Sequence, residues 1–243
     1  SYDFTSSTES VWWDPRSNDG RSSNGVFQRY NRELNTLNTQ TQLTYIKTFA
    51  QKHNVDVLLG FETEDFTDSY TFSHGSQYPG YKYEIANAGE TSSDSNRDKY
   101  RLTSFLGRFN YNFDNKYYAG VSYRRDGSSR LARENRWGDF WSVSGSWRFM
   151  QESFLESVKG VVTDGKIRAS YGVNGTQPST YYSYMQNMYR AGQIYNGQSG
   201  MGVIGIGNPD LKWEKNKAFN LGLDLTFWDR LSLTFDYYTR KTS

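Results

Sequence analysis

The chain has 243 residues, 28 basic and 26 acidic side chains, and a net charge of +2. That balance is too even for a nucleic-acid-binding domain. The absence of Cys excludes a disulfide framework, and two His leave little material for a zinc cluster. The apolar share of 35% is below the ~45–50% of a soluble domain, yet 17% of residues are aromatic, which a disordered chain would lack.

Strand side chains alternate between faces, and that period dominates the sequence. Strands are predicted over about 2–13, 25–50, 53–67, 97–113, 116–126, 136–149, 164–174, 212–228 and 230–242. In the fourth, Phe105, Gly107, Phe109, Tyr111 and Phe113 alternate with Ser104, Leu106, Arg108, Asn110 and Asn112. In the sixth, Trp141, Val143, Gly145 and Trp147 face away from Ser142, Ser144, Ser146 and Arg148. The last two repeat the rhythm with Phe219–Phe227 and Leu231–Tyr237. Residues 151–162 break it, and one helical turn is expected there.

Short turns are expected near Lys52-His53-Asn54, at Asp114-Asn115 and at Asp229-Arg230. Long polar connections are expected at 68–97, 127–136 and 175–212. Short turns on one side and long loops on the other are the layout of an outer-membrane barrel, with polar and lipid-facing residues alternating. No apolar run reaches the ~20 residues of a membrane helix. A soluble β-sandwich also alternates, but its inner face would be richer in Val, Ile and Leu.

Five stretches carry a resemblance: Lys47–Glu62, Ser104–Arg130, Asn135–Leu155, Lys166–Gly175 and Gly207–Thr242. In this order they resemble the SusC/RagA-type TonB-linked (TonB-dependent) outer-membrane transporters of Bacteroidetes. The resemblance implies an all-β fold, an antiparallel up-and-down transmembrane β-barrel. About nine strands of a larger 22-strand wall would be present, with 1–243 forming part of one barrel domain. The family's plug domain, TonB-contact segment and final strands are not found in this sequence, so a stretch of a longer protein is expected. Gly175-Thr176 departs from the usual Gly-Asn of the family.

The implied function is TonB-dependent import of a bulky nutrient, an oligosaccharide, across the outer membrane of a Gram-negative bacterium. The implied partners are a SusD-like surface lipoprotein, TonB, the lipid bilayer and the substrate. The alternatives are a peptide importer of the same family and a soluble carbohydrate-binding β-sandwich. No enzyme activity, catalytic residue, cofactor or metal is expected, and no nucleic-acid partner.

Other features have plainer readings. Gly200–Gly205 matches GxGxxG but lacks the strand before and helix after that a dinucleotide site needs, and reads as a flexible outer loop. Glu62, Glu64, Asp65 and Asp68 offer oxygen ligands for Ca²⁺ at the top of a strand, though a solvated rim is the simpler reading. His53 in a short turn and His74 in a long loop read as surface residues. Tyr117-Tyr118 and Tyr237-Tyr238 suit an interfacial girdle or packing between loops. Trp12, Trp13, Tyr181, Tyr182, Tyr184 and Tyr189 sit near loops, as ligand contacts, partner contacts or loop packing.

Overall fold

The computed structural model describes residues 1–80, 83–185 and 187–242, with the backbone alone at 187–195, 199, 201 and 204. Among the described residues eleven strands run β1 Tyr2–Trp13, β2 Val26–Phe49, β3 His53–Ser76, β4 Glu90–Phe113, β5 Tyr117–Ser128, β6 Trp137–Trp147, β7 Val162–Thr176, β8 Asn187–Tyr195, β9 Gln198–Gly205, β10 Glu214–Phe227 and β11 Leu231–Thr242. Nine form one sheet in the order β1-β2-β3-β4-β5-β6-β7-β10-β11, and β8-β9 form a separate hairpin. The pairs β1-β2, β4-β5, β5-β6, β6-β7, β7-β10 and β10-β11 are antiparallel. Strands β2, β3 and β4 have 24 residues each, against the ~9–11 needed to cross a bilayer.

All nine expected strands are present. The largest departures are in β3, which runs on to Ser76, and β4, which begins at Glu90. His74 therefore lies within a strand, beside Gln28 at 3.3 Å, and not in a loop. The β8-β9 hairpin was not foreseen. Gly200–Gly205 falls in β9, so the GxGxxG match is strand rather than loop.

The short turns are tight hairpins with paired left-handed residues: Ala50-Gln51, Asp114-Asn115 and Trp228-Asp229, all with φ between 46° and 58°. Two positive-φ residues match the right-handed twist of the flanking strands. Asp114-Asn115 is where it was expected. The first turn precedes the expected Lys52-His53-Asn54, which puts His53 at the start of β3. The last is one residue earlier than expected. Residues 149–161 form not one helical turn but two 3-10 segments, Phe149–Gln151 and Ser153–Val158.

By contacts the chain divides into two compact units, Ser1–Thr39 with Glu64–Arg101 and Gln40–Thr63 with Leu102–Ser243. In the first, β1 pairs with β2 from Tyr2↔Leu37 to Trp13↔Val26, and Val26, Phe27 and Tyr78 are buried. In the second, the buried cluster is Leu131, Phe140 and Trp213, flanked by Leu102 and Leu211. It lies where the long connections 129–136 and 206–213 meet the strand ends.

Candidate functional site

The two faces of the sheet in the second unit have opposite chemistry. On one, Phe109, Tyr117, Val121, Trp141, Val143, Trp147, Ile167 and Leu221 are exposed. Register joins them into rows, such as Tyr117↔Trp147↔Ile167↔Leu223↔Phe235 and Phe109↔Val121↔Val143↔Tyr171↔Phe219. Among the described residues these rows pack into no dry core, unlike the inner face of a soluble sandwich. They form a continuous apolar belt, as lipid-facing residues of a membrane strand do.

The other face is polar and closed by cross-strand pairs. Arg168 on β7 lies between Asp224 on β10 at 3.0 Å and Asp236 on β11 at 2.6 Å. Arg124 lies between Glu62 at 3.0 Å and Asp126 at 2.7 Å, and donates to Ser104 Oγ at 3.0 Å. Arg148 pairs with Asp164 at 3.1 Å. Small residues make room for these cations: a Cβ at Gly222 would come within 2.4 Å of the Arg168 guanidinium. This face borders a hollow of about 440 Å³, lined by Asn110, Tyr118, Ser144, Lys166, Arg168 and Asn220 among others.

The comparisons place this wall among known proteins. The model for "TonB dependent receptor-like, beta-barrel" matches residues 1–243. This chain belongs to the TonB-dependent receptor β-barrel family. It is 32% identical over 220 residues to TonB-dependent receptor P3 of Formosa agariphila, covering 88% of this chain and 22% of that one. It is 31% identical over 229 residues to TonB-dependent receptor SusC of Bacteroides thetaiotaomicron, covering 90% and 22%. Its fold is similar to the solved RagAB peptide transporter, with TM-score 0.91 and 26% identity over 99% of this chain and 27% of that one. The chain thus spans about a fifth of the length of these curated relatives, which are receptors and not enzymes by name.

Within the receptor wall, the acidic quartet is not at the top of a strand, because β3 continues to Ser76. Each member has a partner: Glu62 has Arg124 at 3.0 Å and Gln40 at 2.6 Å, Asp68 has Arg32 at 2.6 Å, Glu64 accepts from Tyr100, and Asp65 pairs with Arg101. Asp65 also faces the opposite side from the other three, since alternate residues of a strand do. Among the described residues no three His, Cys, Asp or Glu side chains are grouped to hold a metal. His53 is half-buried on β3, its Nδ1 at 2.7 Å from the Tyr111 hydroxyl.

The aromatic candidates separate. Trp12 is packed edge-on to Tyr78 at 5.1 Å and against Tyr83 at 3.7 Å, with Gly25 leaving space for its ring. Trp13 is half-buried and paired in register with Val26. Tyr181 receives the Arg130 guanidinium at 4.8 Å and has Tyr182 at 6.3 Å. Tyr184 is half-buried in the same connection, while the side chain of Tyr189 lies outside the described residues. Tyr117 joins the outward belt, whereas Tyr118 turns to the polar face and its hydroxyl donates to the Asn115 carbonyl at 3.1 Å.

What joins these loops was not legible from the sequence. Asn135 Nδ2 donates to the Pro209 carbonyl at 3.0 Å, Trp213 Nε1 to the Arg136 carbonyl at 2.9 Å, and Arg130 to the Pro178 carbonyl at 2.9 Å. Loops far apart in sequence are locked together around Leu131. In the first connection, Asp14 is held down to about 2, chiefly by the hydrogen bond from the Arg16 guanidinium.

Proposed function

We propose that this chain is wall from an importer that carries a bulky nutrient across the outer membrane, driven through TonB and assisted by a SusD-like surface lipoprotein. The observation that carries this reading is the division of one sheet into an apolar outward belt and a polar, internally paired inward face. A wall with those two faces separates lipid from a watery interior. Transport makes and breaks no bond, so no residue here is given a catalytic role.

The favoured cargo is an oligosaccharide. Its support is the resemblance to SusC and the set of loop aromatics, Trp12, Trp13, Tyr181, Tyr182 and Tyr184, whose ring faces suit stacking on sugars or on a partner lid. Since Trp12 is already enclosed by tyrosines, Tyr181, Tyr182 and Tyr184 are the better contact candidates. A peptide cargo is the second reading, favoured by the likeness to the RagAB peptide transporter.

The test is binding and uptake by the full-length receptor in complex with its surface lipoprotein, using parallel oligosaccharide and peptide panels. Retention and energy-dependent uptake of oligosaccharides alone supports the first cargo, and of peptides alone the second. Uptake unaffected by removing TonB would refute energised import.

A further inference from the structure

Residues 149–161 connect β6 to β7 on the short-turn side, and they are fastened to the outward face of the wall. Glu152 accepts hydrogen bonds from the Tyr117 hydroxyl at 2.5 Å and Trp147 Nε1 at 3.2 Å, and pairs with Lys116 at 3.5 Å. Tyr117 and Trp147 belong to the outward belt, their rings parallel within 5° and 6.4 Å apart. Phe149 and Met150 cover Gly165, where a Cβ would meet the Phe149 ring at 2.5 Å. Gly165 shares strand parity with Ile167 of the belt.

From this anchorage the chain leaves apolar groups exposed. Phe154 is 69% exposed, Val158 43% and Val161 50%, and Trp228 at 57% donates its backbone N–H to the Val161 carbonyl at 3.0 Å. Four large apolar side chains at one rim, continuous with the belt, are not what a water-facing turn presents. The backbone is also suited to a poorly hydrated setting. Turn hydrogen bonds run from Gln151, Glu152, Leu155, Lys159 and Val161 to carbonyls three residues back, and unsatisfied backbone groups are costly near lipid.

We propose that residues 149–161, with Trp228, form an interfacial foot. Phe154, Val158, Val161 and Trp228 enter the boundary between headgroups and acyl chains of the leaflet on the short-turn side, and Glu152 ties the foot to the wall. The occupant of this surface is lipid, because the patch continues the belt rather than interrupting it. The proposal rests on the belt facing lipid, and the experiment separates the two.

This chain has no cysteine, so the full-length receptor, with any cysteines elsewhere replaced by serine, can carry one environment-sensitive fluorophore at a time. The labelled variants are Phe154→Cys, Val158→Cys as a second foot position, Val143→Cys in the belt and Lys52→Cys in a hairpin turn, each in phospholipid vesicles. At both foot positions, nitroxide near the headgroup end of the acyl chain should quench at least twofold more than nitroxide near its tail. Aqueous iodide should quench them at least threefold less than at Lys52. Iodide access equal to that at Lys52 would overturn the proposal. So would shielding from both quenchers, which would mean that protein covers the site. Loss of lipid quenching at Val143 would instead remove the lipid-facing belt, and the foot with it.

Discussion

Leu131→Ala should unlock the outer loops without unfolding the wall. Leu131 is fully buried, packed with Phe140 and Trp213, in a connection whose other ties include the Asn135, Arg130 and Trp213 hydrogen bonds. Removing a buried leucine side chain to the β-carbon costs about 2–5 kcal/mol, transfer and cavity together. A central figure of about 3 kcal/mol corresponds to a population shift of roughly a hundredfold, at 1.4 kcal/mol per tenfold. That cost falls on the local opening of residues 129–136, because the strand ladders on either side do not depend on this side chain. Amide hydrogen exchange of the receptor in vesicles reads it directly. The amides of Ser128, Leu131 and Asn135, bonded to the Arg136, Ser128 and Ala132 carbonyls, should exchange about a hundredfold faster. Those of β5 and β6 near Val121 and Val143 should not change. Unchanged exchange in the loop, or a uniform rise across the sheet, would refute the idea of a separate loop core.

Val143→Arg, near the middle of the outward belt, should cost about 2–4 kcal/mol and reduce the folded, heat-modifiable form on cold electrophoresis; Ser170→Lys on the polar face should not. Replacing Ala50-Gln51 by Asn-Gly should stabilise by about 1 kcal/mol, since left-handed backbone is strained for ordinary residues, and raise the urea midpoint of unfolding from vesicles. The Tyr117 hydroxyl, followed by Trp147 Nε1, holds the Glu152 carboxyl below its usual 4.5. Its folded value is depressed, so the attachment is complete above pH 4.5 and is lost only as pH falls through the lowered value. The emission of a fluorophore at position 154 should therefore be flat from pH 7 to 5 and change below that, and Glu152→Gln should abolish the step.

Where the sequence was legible, one face meets lipid. From Phe105 to Phe113 and from Trp141 to Trp147 the two faces differ in chemistry, so the period of two is written in the residues. It fails in the distal parts of β3 and β4, which read as loop: Tyr70 and Phe72 have the opposite parity to Leu59 and Phe61, so the phase is broken, and Glu90–Arg97 is polar on both faces. The β8-β9 hairpin was invisible for a related reason. Its pairing shifts register between Asn187 and Met188 and between Arg190 and Ile194, so no simple alternation marks it. The turns were displaced because Ala50, Gln51 and Trp228 adopt left-handed backbone without being residues that usually announce it. The loop contacts of Arg130, Asn135 and Trp213 depend on pairings across 48, 74 and 77 residues, which no local pattern encodes.

The closed ion pairs of the inner surface have a consequence for traffic. Arg124 and Arg168 are each satisfied by two carboxylates of the wall itself, and glycine and serine pave the ground between them. Cargo passing these two arginines in the proposed importer would meet charges already paired within the wall. In the importer proposed above, these two sites would give cargo little charge to grip, and selection would fall to other parts of the receptor.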